Sequence, residues 1–357
     1  MNNDKSADSK IIVVLLSVLA LFAVCIILRL AQAVVLPLII AWLLSYILGP
    51  VVTSMTRRRV PTSLAVTVVL LLLFGITYLA GVFLYSRGVV FWNAYPNYQE
   101  RVMALLEAST SKWSMSPDVL EGINWWQKLA QYMKVTADSL LSFTSKLVMV
   151  SIYLVFLLLG KPYFDFKLHK AFPGKQAAKF SRVMGTISHQ TGRYLFLQLI
   201  ISLSTGICVW IALSLIGVDF AVTWGALAFF LNFIPTVGSM IASIPPILVA
   251  LVQFDTFWPA VVTALALLTI QMVIGNGITP KVMGDQLNLS PVVVLISLVF
   301  WGWLWGIVGA LLSTPIASAI KIVCENIDAL KPISILMGSG KPYLKEHRKK
   351  EDLANSA

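Results

Sequence analysis

The residues of this chain that could do chemistry within apolar sequence are neutral. Asn232, Pro235, Gly238, Ser239 and Ser243 interrupt one uncharged run. Gln271, Asn276 and Thr279 lie in and just beyond the next, and Gly306, Gly309 and Ser313 interrupt a third. Proline removes a backbone donor and glycine loosens a helix. Helix ends near Pro235 and Gly306 would then present backbone N–H or C=O groups carrying partial charge. Together with amide and hydroxyl side chains, such groups suit a neutral, hydroxyl-rich solute, or can strip water from a small monovalent cation. The plainer reading is that the same side chains bond helix to helix as glue. Both readings stand at this level.

Charge is scarce where it would matter most. Between Tyr194 and Ile320 the only charged residues are Asp219, Asp255, Lys281 and Asp285, all at expected helix ends or loops. Ionisable groups within spans mark proton relays and ion paths, and a pump driven by a buried carboxylate is disfavoured here. Asp219 and Asp255 read as turn residues, or as attractors for a cation at an outer entrance; Asp219 or Asp285 remains a candidate for ion coupling. Ser239 has no intramembrane His or Lys to activate it, so an enzyme lacks its parts. Cys25, Cys208 and Cys324 have no paired spacing and lie in apolar stretches, which argues against a disulfide framework or a metal site. No cofactor is expected. Trp301, Trp303 and Trp305 read as packing or interfacial anchors.

Composition decides the class. Of 357 residues, 58% are hydrophobic and only 12% charged, with a mean hydropathy of +0.84; soluble chains carry about 25% charged residues. The net charge of +11 collects at the ends of apolar runs, as loops facing anionic lipid require. No basic, aromatic-interleaved domain is left over for nucleic acid. The lipid bilayer is the partner that the composition demands.

A bilayer core takes about 20 apolar residues per helix. Runs that meet or approach this are Ile11–Leu28, Leu30–Thr56, Thr62–Ser86, Leu147–Gly160, Tyr194–Val218 and Thr256–Pro280. Two further uncharged stretches, Phe220–Phe254 and Gln286–Ile320, each last 35 residues. Each is too long for one comfortable span, and each is broken in the middle. Freed backbone groups at membrane depth must be buried in protein or line a watery cavity, so the stretches read as broken or re-entrant hairpins. One long, tilted, kinked helix each is the alternative.

Lys and Arg cluster at the N-terminus, at Arg57–Arg59, between Lys161 and Arg193, and from Lys321 to Lys350. Placing all four clusters in the cytoplasm gives a consistent alternation with both termini inside. The expected organisation is N-terminal transmembrane helices over 11–86, an extracytoplasmic amphipathic helical segment over 87–139 and a transmembrane helix over 140–160. A basic cytoplasmic segment over 161–193, a core with two hairpins over 194–320 and a cytoplasmic tail over 321–357 complete it. The fold class is an all-α, polytopic transmembrane helical bundle. Val237-Gly238 with Ser243-Ile-Pro245, and Val308-Gly309 with Ser313-Thr-Pro315, lie about 71 residues apart. They suggest an inverted repeat with discontinuous helices, or chance resemblance in apolar sequence.

These motifs carry a family resemblance. Phe230-Leu-Asn-Phe-Ile-Pro235-Thr-Val-Gly238, Ile244-Pro245-Pro246, Thr279-Pro280-Lys281-Val-Met-Gly284 with Leu289-Ser-Pro291, and Phe300-Trp-Gly302-Trp-Leu-Trp-Gly306-Ile-Val-Gly309 through Pro315 resemble the autoinducer-2 exporter family of permeases. The resemblance covers about residues 10–335, and the C-terminal half is its specific part. It implies a homo-oligomeric exporter of the bacterial inner membrane, in pentamers, linked to release of a quorum-sensing signal and in some members to sodium–proton antiport. The expectation is a carrier whose two hairpins cradle a small polar solute. A sodium/proton antiporter and an oligomeric channel or pore are the alternatives.

Overall fold

The computed structural model describes residues 2–113, 125–172, 174–235, 237–283 and 288–340. Its helices are α1 (Asn2–Leu30), α2 (Gln32–Arg57), α3 (Thr62–Trp113), α4 (Trp125–Ala171), α5 (Gly174–Ile216), α6 (Ala221–Leu231), α7 (Val237–Gln253) and α8 (Trp258–Ile270). A π-helical segment (Gln271–Ile278) follows, then α9 (Thr279–Met283), α10 (Pro291–Asn326), a 3₁₀ turn (Asp328–Leu330) and α11 (Lys331–Met337). Among the described residues, five segments are long and apolar enough to cross a bilayer: Gln32–Arg57, Thr62–Val90, Gln176–Ile216, Trp258–Met283 and Pro291–Asn326. Leu71, Phe156, Leu215 and Ile307 are among many large apolar side chains left exposed, which lipid, not water, must cover. This is the all-α, polytopic helical membrane protein that composition requires.

The chain forms two compact units. One comprises Met1–Tyr46, Lys146–Ile187 and Leu289–Ala357; the other comprises Ile47–Ser145 and Ser188–Asn288. The expected hairpins fall one in each.

In the second unit, Phe220–Phe254 is a hairpin and not a single kinked helix. Helix α6 ends at Asn232, whose N–H still reaches Ala228 O. Pro235 has no N–H to continue the ladder, and a tight turn replaces it, with Ile234 N–H donating to Leu231 O at 2.9 Å and Gly238 N–H to Ile234 O at 3.1 Å. The far ends then meet. Asp219 N–H donates to Gln253 Oε1, and Gln253 Nε2 donates to Gly217 O, both at 2.8 Å. Helix α6 has 11 residues and α7 has 17, so the arms reach about 16 and 25 Å. Both fall short of a hydrocarbon core of about 30 Å. The chain doubles back on itself, mouth to mouth, through this turn.

Gly206 and Gly225 let α5 and α6 cross almost backbone to backbone. A Cβ on either would lie 2.7–2.8 Å from the other's carbonyl oxygen. Without a hydrophobic drive between helices in lipid, such small-residue crossings supply the packing.

In the first unit, α10 is two helical arms joined at a sharp break, where the chain folds back at Trp305 (φ −127°, ψ 16°) and Gly306 (φ 64°, ψ −146°). Only glycine takes the second of these conformations readily. Ser297 Oγ donates to Ser313 O at 2.8 Å across 16 residues; a straight helix would hold them about 24 Å apart. This stretch too is a hairpin. Trp305 Nε1 donates to Leu28 O at 3.3 Å, and the Arg29 guanidinium stands over the Trp303 ring at 5.2 Å. The first arm's tip thereby packs on α1.

The faint likeness between the hairpins has a geometric counterpart. A Cβ at Gly238 would lie 1.7 Å from Leu231 O, and one at Gly309 would lie 1.9 Å from Trp301 O; Ile234 and Trp305 supply the next contacts at 3.1 and 3.0 Å. In both tips a glycine receives the carbonyl of the opposite arm.

Helix α3 does not stop at the end of its apolar run but continues through Pro96 to Trp113, into the segment expected to be extracytoplasmic.

Candidate functional site

The second unit gathers its polar groups along one face of α5. Gln198, Ser202, Thr205, Val209 and Leu213 follow helical spacing and are all buried; the face is polar at one end and apolar at the other. Burying amides and hydroxyls in a membrane core is costly unless they are bonded. The tip of the first hairpin supplies the bonds. Gln198 Nε2 donates to Asn232 O at 2.7 Å, and Asn232 Nδ2 donates to Ser202 Oγ at 3.0 Å. The carbonyl that the helix break exposes is thus capped by a side chain from α5.

One turn further along, Thr205, Ser239, Ser243 and Gln271 share a cavity of about 20 Å³ with Val209, Ala228, Ala242, Leu267 and Ile270. That is room for about one water molecule, and four polar side chains suit one. Thr205 Oγ1 donates to Ile201 O and Ser243 Oγ to Ser239 O, which spends their protons on the backbone and leaves hydroxyl lone pairs as acceptors. No carboxylate lines the space.

Gln271 opens the eight-residue π-helical segment. Segments of this kind recur at functional sites. Its amide lies against Gly275, where a Cβ would meet Nε2 at 2.6 Å and have the Gln271 side-chain amide as its three nearest atoms. Gly275→Ala should therefore push the amide off its seat while the backbone stays put. The expected outcome is a several-fold change in flux with a melting temperature within about 2 °C of the parent, read on one purified preparation.

The remaining candidate residues are dispersed. Pro235 and Gly238 shape the tip. Asn276 is exposed, with only the Met272 sulfur as a hydrogen-bond acceptor, and Thr279 donates to Ile274 O. Gly306, Gly309 and Ser313 form the other hairpin's tip in the first unit, where Ser313 Oγ donates to Ala310 O. Asp255 is exposed between α7 and α8, and Asp285 lies outside the described residues.

Asp219 belongs to a latch at the hairpin mouth. Its carboxylate accepts from Tyr98 OH, its carbonyl accepts from Trp224 Nε1 at 2.9 Å, and Arg101 donates to Gln253 O. Burial, then the hydrogen bond and negative charge of Asp219, push the Tyr98 phenol above its ordinary value. A raised acid is stabilising below its unfolded value and loses that stabilisation as pH climbs through the folded one. The latch should hold at neutral pH and loosen only above about pH 10. Tyr98→Phe should cost about 1 kcal/mol at pH 7, and the difference from the parent in thermal unfolding should shrink in alkali.

Comparison with known proteins agrees with this membrane architecture. Residues 15–329 match the AI-2E family transporter. The chain is 34% identical over 322 residues to the AI-2 transport protein TqsA of Escherichia coli K12, covering 87% of this chain and 90% of TqsA. The chain belongs to the AI-2E transporter family. A candidate transport protein of Borreliella burgdorferi is 35% identical over 311 residues, covering 87% and 86% of the two chains. YhhT of Escherichia coli K12 is 32% identical over 327 residues, covering 87% and 90%.

As an AI-2E family member the chain is a multi-pass membrane transporter. Within it, sequence reasoning found Asn232, Ser239, Ser243 and Gln271, which the structure brings to one seam. It missed Gln198, Ser202 and Thr205. Their signal was available: three polar side chains at i, i+4 and i+7 on an otherwise apolar span share one face. Lys321, which the sequence reading placed in a basic cluster, is buried and paired with Glu325.

Proposed function

We propose that this transporter exports a small, hydroxyl-rich solute of the autoinducer-2 class, and that the seam between α5, the first hairpin and the π-helical segment is where the solute meets the protein. One observation carries the reading: neutral groups of α5 and the first hairpin meet at the hairpin's break, and a turn further along three hydroxyls and the Gln271 amide share a small cavity with no carboxylate among its described lining residues. Neutral hydrogen-bonding groups match the hydroxyls of such a solute and leave it free to depart. The present cavity holds about one water, so it corresponds to a closed state. Passage requires the hairpin tip to part from α5, exposing the seam to one side at a time. The named substrate of TqsA supports the substrate class. The resemblance supports an inner-membrane, homo-oligomeric assembly, and the four Lys and Arg clusters support both termini in the cytoplasm.

The test is efflux of autoinducer-2 from proteoliposomes containing the purified chain. Flux should saturate, show counterflow, and fall about tenfold in Gln271→Leu, the loss of roughly one good hydrogen bond. Flux that rises linearly without saturation would favour a pore. A second reading has its own observation. Three hydroxyls and an amide around a space of about 20 Å³ also fit one desolvated monovalent cation. Sodium-driven proton movement without autoinducer-2 flux would favour antiport.

A further inference from the structure

The second arm of α10 carries a polar stripe that the hairpin does not need for its own packing. Thr314, Ser318 and Lys321 are spaced four and three residues apart and lie on one helical face. Their exposures are 5%, 1% and 5%. Thr314 Oγ1 and Ser318 Oγ are buried without any hydrogen-bond partner. A serine or threonine within a span ordinarily spends its proton on the carbonyl a turn back, as Ser151 and Thr205 do here. These two do not. Alanine and valine would fill the same volume without leaving a hydroxyl unsatisfied, a penalty of about 1–3 kcal/mol each.

Lys321 closes the stripe. Its ammonium pairs with Glu325 one turn further on. The pair is lopsided: the side-chain exposures are 6% for Lys321 and 43% for Glu325. Glu325 lies one turn beyond the stripe and is the more exposed partner, so it is the positive end of the pair that stands next to Ser318 and Thr314. The ammonium has three donors, and among the described residues Glu325 is the one acceptor it reaches.

We propose that the Thr314–Ser318–Lys321 face is a donor-lined site of the first unit for a small solute, closed in this state and wetted in another. Its lining would take the acceptor oxygens of a small solute and favour negatively charged ones over cations. Unsatisfied hydroxyls in a row next to a buried ammonium are explained if a second conformation gives them water or solute to bond. The proposal sharpens the transporter reading by adding charge selection, and it can be read without measuring transport.

Thiol labelling tests it. The full chain with Cys25, Cys208 and Cys324 replaced by alanine and carrying S318C is reconstituted in liposomes. It is treated with methanethiosulfonate reagents of negative and of positive charge, each rate being divided by that reagent's rate with a free thiol. The positive end of the Lys321–Glu325 pair, about 6 Å away, should favour the anionic reagent several-fold. K321Q should bring the ratio to about one, and K321R should keep it. A folded S318C protein inert to both reagents, or labelled equally by both with Lys321 intact, would overturn the proposal. Should S318C be poorly folded, T314C carries the same measurement with the same outcomes. Autoinducer-2 efflux that survives in K321Q while the labelling preference is lost would leave the transporter reading and the charge selection standing separately.

Discussion

Gly238→Ala and Gly309→Ala should each destroy most of the folded, monodisperse protein, although each adds a single methyl group to an apolar segment. The added carbon at Gly238 would sit 1.7 Å from Leu231 O and 2.7 Å from Leu231 C. At Gly309 it would sit 1.9 Å from Trp301 O and 2.7 Å from Trp301 C. These obstacles are backbone, not the swinging end of a side chain, so neither can yield without opening the turn. Overpacking a well-packed site costs about 1–3 kcal/mol, occasionally more, and these two belong at the upper end. Gly302→Ala is the matched control. Its nearest neighbour would be Ala310 Cβ at 3.7 Å, an ordinary contact, and only the intrinsic preference of a helix for alanine should register. Thermal unfolding and size-exclusion profiles in detergent check all three. Equal behaviour of Gly302→Ala and Gly309→Ala would mean that the second tip is not folded as described.

Gln198→Leu should be the most damaging substitution along the α5 face. Leucine has nearly the volume of glutamine and suits a span, so propensity and hydropathy both predict improvement. The hydrogen bonds predict the reverse. Gln198 is the cap on Asn232 O, the carbonyl released where the helix breaks at Pro235. Removing the donor leaves a carbonyl with no side-chain cap in a medium with no water, at a cost of about 1–3 kcal/mol. Asn232→Leu removes the other half of the network, including the bond to Ser202. Because the two residues share partners, their effects should not add. The double variant should be about as impaired as the worse single one in both melting temperature and efflux. Simple additivity would show that the bonds between α5 and the tip are not one unit.

Much of this was legible in the residues. Two 35-residue uncharged stretches with central prolines or glycines could hardly be anything but hairpins or strained spans. The bonds from Asp219 to Gln253 and from Ser297 to Ser313 decide for hairpins. The tips fell where Pro235 and Gly306 placed them, since a missing donor and a left-handed backbone are local properties that sequence reveals. What was not legible depends on distant partners. Nothing in the surroundings of Gln198 announces that it meets a carbonyl 34 residues away. The π-helical segment over Gln271–Ile278 hides because a run that is apolar on every side has no periodicity to betray a change of pitch. Lys321 was read as cytoplasmic because a lysine at the end of an apolar run ordinarily is. Its burial and its pairing with Glu325 depend on neighbours that only the folded second arm, which runs to Asn326, brings to it.

The seam beneath the first hairpin is the centre of the account, and water access along α7 tests it most directly. In a background free of the three native cysteines, single cysteines at Ser239, Met240, Ser243 and Ile244 are exposed to a small hydrophilic thiol reagent, with and without autoinducer-2. Met240 and Ile244 are 70% and 55% exposed in the isolated chain and face where lipid would be. The account predicts labelling at Ser239 and Ser243, slowed by autoinducer-2, and silence at Met240 and Ile244. Labelling confined to Met240 and Ile244, or a seam that stays unreactive whatever solute is present, would contradict it.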